Sequence, residues 1–463
     1  MAHAAPAHQA TEVAQLAEFV ASADHRNMSD AAREELKKRI LDSIGVAIGA
    51  LDGKPIGYIR THQEDFGGNP LCTLIGGGKT APDRAAFYNG ALVRYLDFMD
   101  SYLAKGETCH QSDNLGAVLA AAEYANQDGD VLLSALAVAY QVQGRLCDVA
   151  PVRAKGFDHT VQGAYAVAAG VARALGLDAV KTANAIAISG TSNNALRVTR
   201  TGALSHWKGL AYPHTAFIGT HAAFLAYRGI TGPAEVFEGN KGFKEAIAGP
   251  FEIDWRKEDL ENVRKSIIKR YNAEIHSQSS IEGAIELQAA KGFNGSDIER
   301  LDIEIFDVAY HIIGGGEEGD KTIIRNKEEA DHSLQYMVAV ALLDGNVLPA
   351  QYEQERIVRA DVQDLLHRVK VRPKQEYTDR FPGEVVTTLT FTLKDGSQHR
   401  ITKTDYEGFH TRPMGWETVI AKFTGLATPF TSEKVRDQIV DAVRNLEHIR
   451  VSELTAILAD LKA

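Results

Sequence analysis

The chain has 463 residues, of which 44% are hydrophobic and 24% charged, with a formal net charge of -11. That is the composition of an ordinary globular protein, long enough for two domains and a sizeable core, and it excludes a small cross-linked module. The acidic excess argues against the basic face on which nucleic-acid binding rests, and leaves small anions as ligands for a local cationic pocket.

Cys72, Cys109 and Cys147 are far apart and odd in number, with no C-x-x-C pair for zinc, a cluster or a redox centre. A reduced, cytoplasmic setting is the expectation. The opening MAHAAPAHQATEVAQLAEFV places no Lys or Arg ahead of an apolar stretch, and no run approaches the ~18 apolar residues of a membrane span.

In chain order, the first strong signal is SDAAREELKKRILDSIGVAIGALDG, where Leu36, Ile40, Ile44, Ala47 and Ile48 recur at helical spacing. Asp30 complements the helix dipole and Gly53 is the expected stop. TLIGGGKT, residues 73–80, resembles a phosphate loop, but Thr73 stands where that loop needs glycine, so a turn is expected. Helices are predicted at about 115–126, 131–148 and 161–175, rich in alanine and glycine and able to approach one another closely.

The texture changes near residue 295. LDIEIFD alternates Leu301, Ile303 and Ile305 with acidic residues, the period of a half-buried strand. VVTTLTFTL is a second strand, and Asp395-Gly396 turns it into a third. Between them the spacing predicts a helix over about 327–343, opened by Asn326 with Glu329 and ended at Asp344-Gly345. The tail is helical again and is expected to dock on the N-terminal body. The fold class is therefore mainly α: a large helical domain of residues 1–271 and 406–463, with a smaller α/β domain, 272–405, inserted late.

The chemistry-bearing residues gather at helix entrances. LDFMDSYLAKGETCHQSDN places Asp97, Asp100, Ser101 and His110 before the apolar helix that begins at Leu115, with Asp113 or Asn114 as its cap. The free N–H groups of such an end suit a carboxylate and keep a nearby histidine neutral, as a base must be. His159 precedes another small-residue helix, and Lys208 lies beside an aromatic near a proline break, with His206 and His214 close by. Two histidines and a lysine at helix entrances of one body can converge on an anion. His214 and His221 are seven apart with no third ligand at recognisable spacing, so no metal site is expected.

Five ordered segments, NGALVRYLDFMDSYLAKGETCHQSDNLGAVLAA, GFDHTVQGA, RTGALSHWKGLA, KRYNAEIHSQSSIEGAIEL and EEADHSLQYMVAVALLDG, together resemble the MmgE/PrpD family over nearly the whole chain. The resemblance implies a helical domain with an α/β lid, a homodimer, no metal or organic cofactor, and a small di- or tricarboxylate as substrate. The family includes 2-methylcitrate dehydratases, cis-aconitate decarboxylases and iminodisuccinate epimerases. Carried over residue by residue, it implies His110 and His159 as the acid/base pair, Lys208 and Tyr310 as stabilisers, and Asp97 and Ser101 as positioning groups. Lys269, Arg270 and His276 are implied to hold substrate. Ser101 stands where relatives often have threonine, and Gln111 where proline is common. The first expectation is dehydration of a 2-hydroxy tricarboxylate such as 2-methylcitrate or citrate. Decarboxylation, epimerisation and a non-catalytic carboxylate-binding dimer are the alternatives. An iron-sulfur cluster, used elsewhere for related chemistry, has no suitable cysteines here.

Overall fold

The computed structural model describes residues 11–202 and 204–461. The fold is mainly α with a small α/β part. Helix Asp30–Ile48 starts where Ser29 accepts the Ala32 N–H, and Asp30 lies in its first turn. It ends at Gly49, earlier than the patterning suggested, and Gly53 instead begins helix Lys54–Phe66.

Small residues let the following helices press together. A Cβ on Gly116, in helix Leu115–Tyr124, would stand 2.5 Å from the Gly90 nitrogen of helix Pro82–Tyr95. A Cβ on Gly163, in helix Thr160–Ala174, would stand 2.4 Å from the Tyr212 ring. Interiors packed this closely do not admit even one more methyl without displacement. Helix Trp207–Tyr227 runs through Pro213, where a break was expected; the helix carries the proline by forgoing a backbone hydrogen bond. The C-terminal helices Trp416–Ala427, Glu433–Arg444 and Val451–Ala459 bury Phe423, Ile439, Val443 and Leu458 in the same apolar cluster as Leu36, Ile40 and Ile44.

A second cluster, mostly from Tyr271 to Phe409, surrounds a four-stranded sheet. Strand Ile298–Ile305 buries Leu301, Ile303 and Ile305, as their alternation requires. It pairs in parallel with Val369–Pro373 and antiparallel with Thr387–Leu393, which pairs in turn with Gln398–Lys403. Val369–Pro373 is a fourth strand beyond those expected, a short edge strand that ends in proline, as edges permit. The helix read as one run over 327–343 is two: Lys327–Ala330, capped by Asn326, and Leu334–Asp344, capped by Ser333. Asp331 and His332 lie in the break.

The two clusters meet along a strap. Ser101 donates its N–H to the Ile267 carbonyl at 2.9 Å and accepts the Ile267 N–H at 2.7 Å. This bridge ties the loop after helix Pro82–Tyr95 to the segment that leads from the first cluster into the second. The stretches 96–114, 266–276 and 331–333 therefore converge.

Candidate active site

Asp97 terminates helix Pro82–Tyr95 with φ of 55°, a left-handed conformation that strains any residue with a side chain. Charge holds it there. Its Oδ1 accepts from Arg94 Nη1 and Lys269 Nζ, both at 2.8 Å, its carbonyl accepts from Lys269 Nζ at 2.7 Å, and Lys208 Nζ is 3.4 Å from Oδ2. Burial alone would raise the carboxyl, but Arg94, Lys269 and Lys208 together hold it well below the usual carboxylate range.

The turn that aims His110 is built by Asp100. Asp100 Oδ1 accepts from Ser112 N–H (3.0 Å) and Oγ (2.7 Å), and its Oδ2 accepts from the Tyr140 hydroxyl (2.7 Å). The expected cap is absent: a 3-10 turn, Gln111–Asn114, runs directly into helix Leu115–Tyr124 with no side-chain cap. Asn114 is turned to Gln111 O and Gln143 instead, and both Asp113 oxygens are buried with no hydrogen-bond partner among the described residues. Burial pushes Asp113 up to about 7, with Arg94 opposing.

His110 Nδ1 lies 2.8 Å from the Asp100 carbonyl and 3.0 Å from Ser101 Oγ. A carbonyl only accepts, so Nδ1 carries the proton and Nε2 keeps its lone pair. Burial, with Arg94 and Lys269, holds this imidazole well below its ordinary value. His159 lies beside it, ring centroids 5.5 Å apart and edge-on. Its Nδ1 is 3.2 Å from Asp158 Oδ1, and Asp158 is fixed by Arg200 Nε at 2.7 Å. Burial pulls His159 down to about 3 despite the Asp158 carboxylate.

From the second cluster comes His276, whose Nδ1 is 2.7 Å from Glu274 Oε1 while Glu274 Oε2 accepts the His276 N–H at 2.8 Å. The Nε2 atoms of His159 and His276 are both buried with no hydrogen-bond partner among the described residues. Unused buried hydrogen-bonding capacity of this kind calls for a ligand or ordered water.

These imidazoles line one cavity of about 50 Å³, with Asp97, Glu107, Glu274 and Glu318, the cations Arg94, Arg153, Arg197, Arg200 and Lys269, and His332 and Ile312. Pockets for small ligands usually span about 300–1,000 Å³. This one is closed. Of the anticipated residues, Asp97, His110, His159, Lys269 and His276 face it together. Ser101 stands behind His110. Lys208 sits one layer deeper, 2.8 Å from Asp331 Oδ1 and 2.9 Å from His332 Nδ1. Ligand atoms of Asp97, Asp331 and His332 lie within 4.8 Å of one another, close enough for a metal, but the Lys208 ammonium contacts all three and a metal would have to displace it.

Two anticipated residues are placed elsewhere. Tyr310 opens a one-turn π-helix, Tyr310–Gly314, that presents Ile312 to the cavity, while the Tyr310 ring packs beside His311 and under Gly314. Arg270 points away from Lys269, as neighbours in an extended segment do, and pairs with Glu407 at 3.4 Å on a separate cavity of about 750 Å³. Sequence reasoning missed Arg94, Arg153, Arg197, Arg200, Glu274 and His332. A signal for some of them was present: three histidines follow an acid by one or two positions, Asp158-His159, Glu274-Ile275-His276 and Asp331-His332.

The MmgE/PrpD N-terminal domain model matches residues 14–256, and the C-terminal domain model matches residues 271–448. A 2-methylcitrate dehydratase of Cupriavidus necator is 29% identical over 379 residues, 75% of this chain and 76% of that protein. One of Salmonella typhimurium is 29% identical over 404 residues, 80% of this chain and 81% of that protein. A cis-aconitate decarboxylase of Mus musculus is 25% identical over 459 residues, 93% of this chain and 90% of that protein. Matches that together span most of the chain lead to one conclusion: the chain belongs to the MmgE/PrpD family.

Proposed function

We propose that the protein is a hydro-lyase that removes water from a 2-hydroxy tricarboxylate of the 2-methylcitrate kind. The observation that carries the reading is a cavity that four imidazoles share with five cations, two of the imidazoles having an unpartnered Nε2. The dehydratase names of similar proteins support it.

The proton to be removed sits on carbon next to a carboxylate and is weakly acidic. A neutral imidazole takes it, and charge develops on the carboxylate oxygens, where Lys269 and the arginines stabilise it. A second imidazole, protonated, delivers its proton to the departing hydroxyl. His110 and His159 are the proposed pair, with His276 opposite as a substrate contact. Asp97 holds Lys269 and Arg94 in place, and Lys208 holds Asp97. No cofactor enters this scheme, since acid, base and cations are all side chains.

Both histidines are neutral because burial and nearby cations disfavour their charged forms. A substrate with three carboxylates reverses that balance, so binding is accompanied by proton uptake, readable by calorimetry in buffers of different ionisation enthalpy. The cavity is smaller than such a molecule, so binding calls for rearrangement of the groups that line it.

The deciding experiment is proton NMR of the chelator-treated protein with 2-methylcitrate, citrate, cis-aconitate and iminodisuccinate in parallel. Alkene signals growing from 2-methylcitrate or citrate support the proposal. Itaconate from cis-aconitate supports decarboxylation instead, a reading favoured by the nearly full-length match to the mouse protein. A changed stereoisomer ratio of iminodisuccinate indicates epimerisation. No change with any of the four overturns the proposal and leaves a carboxylate-binding dimer as the remaining reading.

A further inference from the structure

The glycine-rich stretch HIIGGGEEGDK has no part in the chemistry above, yet it delivers a carboxylate into the same cavity. Glu318, its side chain only 5% exposed, faces two arginines from the other side: Arg197 Nη2 donates to Glu318 Oε1 at 2.9 Å, and Arg153 Nη2 is 3.8 Å from the same oxygen. All three line the cavity that His110, His159 and His276 share.

All three residues are anchored through their backbones, and Glu318 donates its N–H to the His311 carbonyl at 3.0 Å. Arg153 donates its backbone N–H to Glu107 Oε2 at 3.0 Å. Arg197 donates its backbone N–H to Gly156 O at 2.9 Å, and it shares a turn with Arg200, which holds the Asp158 carboxylate beside His159. What sets Glu318 apart is its loop, whose Gly315 and Gly319 have φ of 106° and 92°, backbone that glycine adopts without penalty.

The pairing is also incomplete. Arg153 is largely buried, and its guanidinium has no hydrogen-bonded acceptor among the described residues; the 3.8 Å approach to Glu318 is its closest ionic contact. A guanidinium has five donors suited to gripping both oxygens of a carboxylate, and one carboxylate oxygen shared between two guanidinia leaves most of them unused. A purely structural ion pair would not need the second arginine.

From these contacts we infer that Arg153 and Arg197 form a carboxylate subsite of the active site, and that Glu318 occupies it as an internal substitute until a substrate carboxylate displaces it. This rests on the reading of the cavity as a carboxylate site. Displacement of Glu318 removes one tie between the two clusters and frees room beside the histidines. An internal competitor lowers apparent affinity by the fraction of molecules in which the subsite is free.

The test uses the full-length chain and tricarballylate, which has three carboxylates and no hydroxyl to lose, so calorimetry reads binding without turnover. Glu318→Gln is expected to bind tricarballylate about ten-fold more tightly than wild type. Glu318→Asp, one methylene too short to reach Arg197, is expected to tighten binding as well, and Arg197→Ala in the Glu318→Gln background to abolish the gain. Equal or weaker binding by both Glu318 variants overturns the inference and makes Glu318 a structural tie; so does a failure of wild type and variants alike to bind tricarballylate. The two readings fail separately. Tighter binding by the variants with no turnover of any of the four candidate substrates leaves the subsite standing and removes the dehydratase, whereas turnover of 2-methylcitrate with no gain in Glu318→Gln does the reverse.

Discussion

The two walls of the histidine cavity are built differently. On the wall from the first cluster, orientation and charge are divided among several residues: Asp100 folds the turn, its carbonyl fixes the His110 tautomer, and Arg200 holds the carboxylate beside His159. On the opposite wall one residue does both, since Glu274 accepts the backbone N–H of its own turn with one oxygen and holds the His276 ring with the other. The first wall is over-determined and rigid. The second is held by short turns, a broken helix and a glycine loop, elements with fewer cooperative contacts to hold them.

If the first wall carries the chemistry, His110→Ala and His159→Ala each lower kcat by about 10²–10⁴-fold, the usual weight of general acid–base catalysis, while the protein stays folded by circular dichroism. Near-wild-type turnover in either would move the chemistry to His276 and reverse the comparison. Carboxylate removal separates the walls on stability. Asp158→Asn leaves the Arg200 guanidinium buried without its counter-charge and is expected to cost about 3–5 kcal/mol in denaturant unfolding. Glu274→Gln keeps an acceptor oxygen for only one of the two hydrogen bonds to His276 and puts an NH2 donor in place of the other, and is expected to cost less in stability, its main effect being about 10–100-fold on activity through a misoriented His276.

Dependence on pH sharpens the picture of the rigid wall. His159 binds its proton at about 3 in the native state against an ordinary 6.5, so the unfolded chain holds more protons between those values and stability rises with pH across that window. Asp113 has the opposite sign: its native value is about 7 against an ordinary 3.8, so the folded protein keeps a proton that the unfolded chain has lost, and stability falls as pH rises from about 4 to 7. Their contributions oppose each other between about pH 4 and 6.5. Asp113→Asn should therefore steepen the rise in melting temperature with pH and stabilise the protein at neutral pH by roughly 1–3 kcal/mol. A variant profile parallel to wild type would show that Asp113 is ionised like an ordinary carboxylate. The smallest effect is expected for Arg270→Ala. Its half-exposed pairing with Glu407 is worth at most about 1 kcal/mol, and its position outside the histidine cavity predicts unchanged turnover.

Periodicity was enough to identify helices Asp30–Ile48, Leu115–Tyr124, Gly129–Val149 and Thr160–Ala174 and three of the four strands of the larger sheet, because a helix or strand with one buried face must repeat its apolar residues at 3.6 or 2 positions. The motifs also named His110, His159, Asp97, Lys269 and His276, which do face one cavity. Local pattern could not show that Asn326 starts only a single turn, because the break after Ala330 serves Asp331 and His332, whose partner Lys208 is more than a hundred residues away. Nor could it separate Lys269 from Arg270, adjacent cations that an extended backbone sends to opposite sides.

What the sequence determined by itself was the class of the fold, the family and the kinds of group available, all of which follow from spacing and residue type. What only the tertiary structure decided was which of those groups share a small buried volume: the unpartnered Nε2 atoms, the arginines that surround them, the exclusion of Tyr310 and the glutamate on its glycine loop. Charge and burial act through space, so the protonation states and competitions that define this site exist only once distant segments have been brought within a few ångströms of one another.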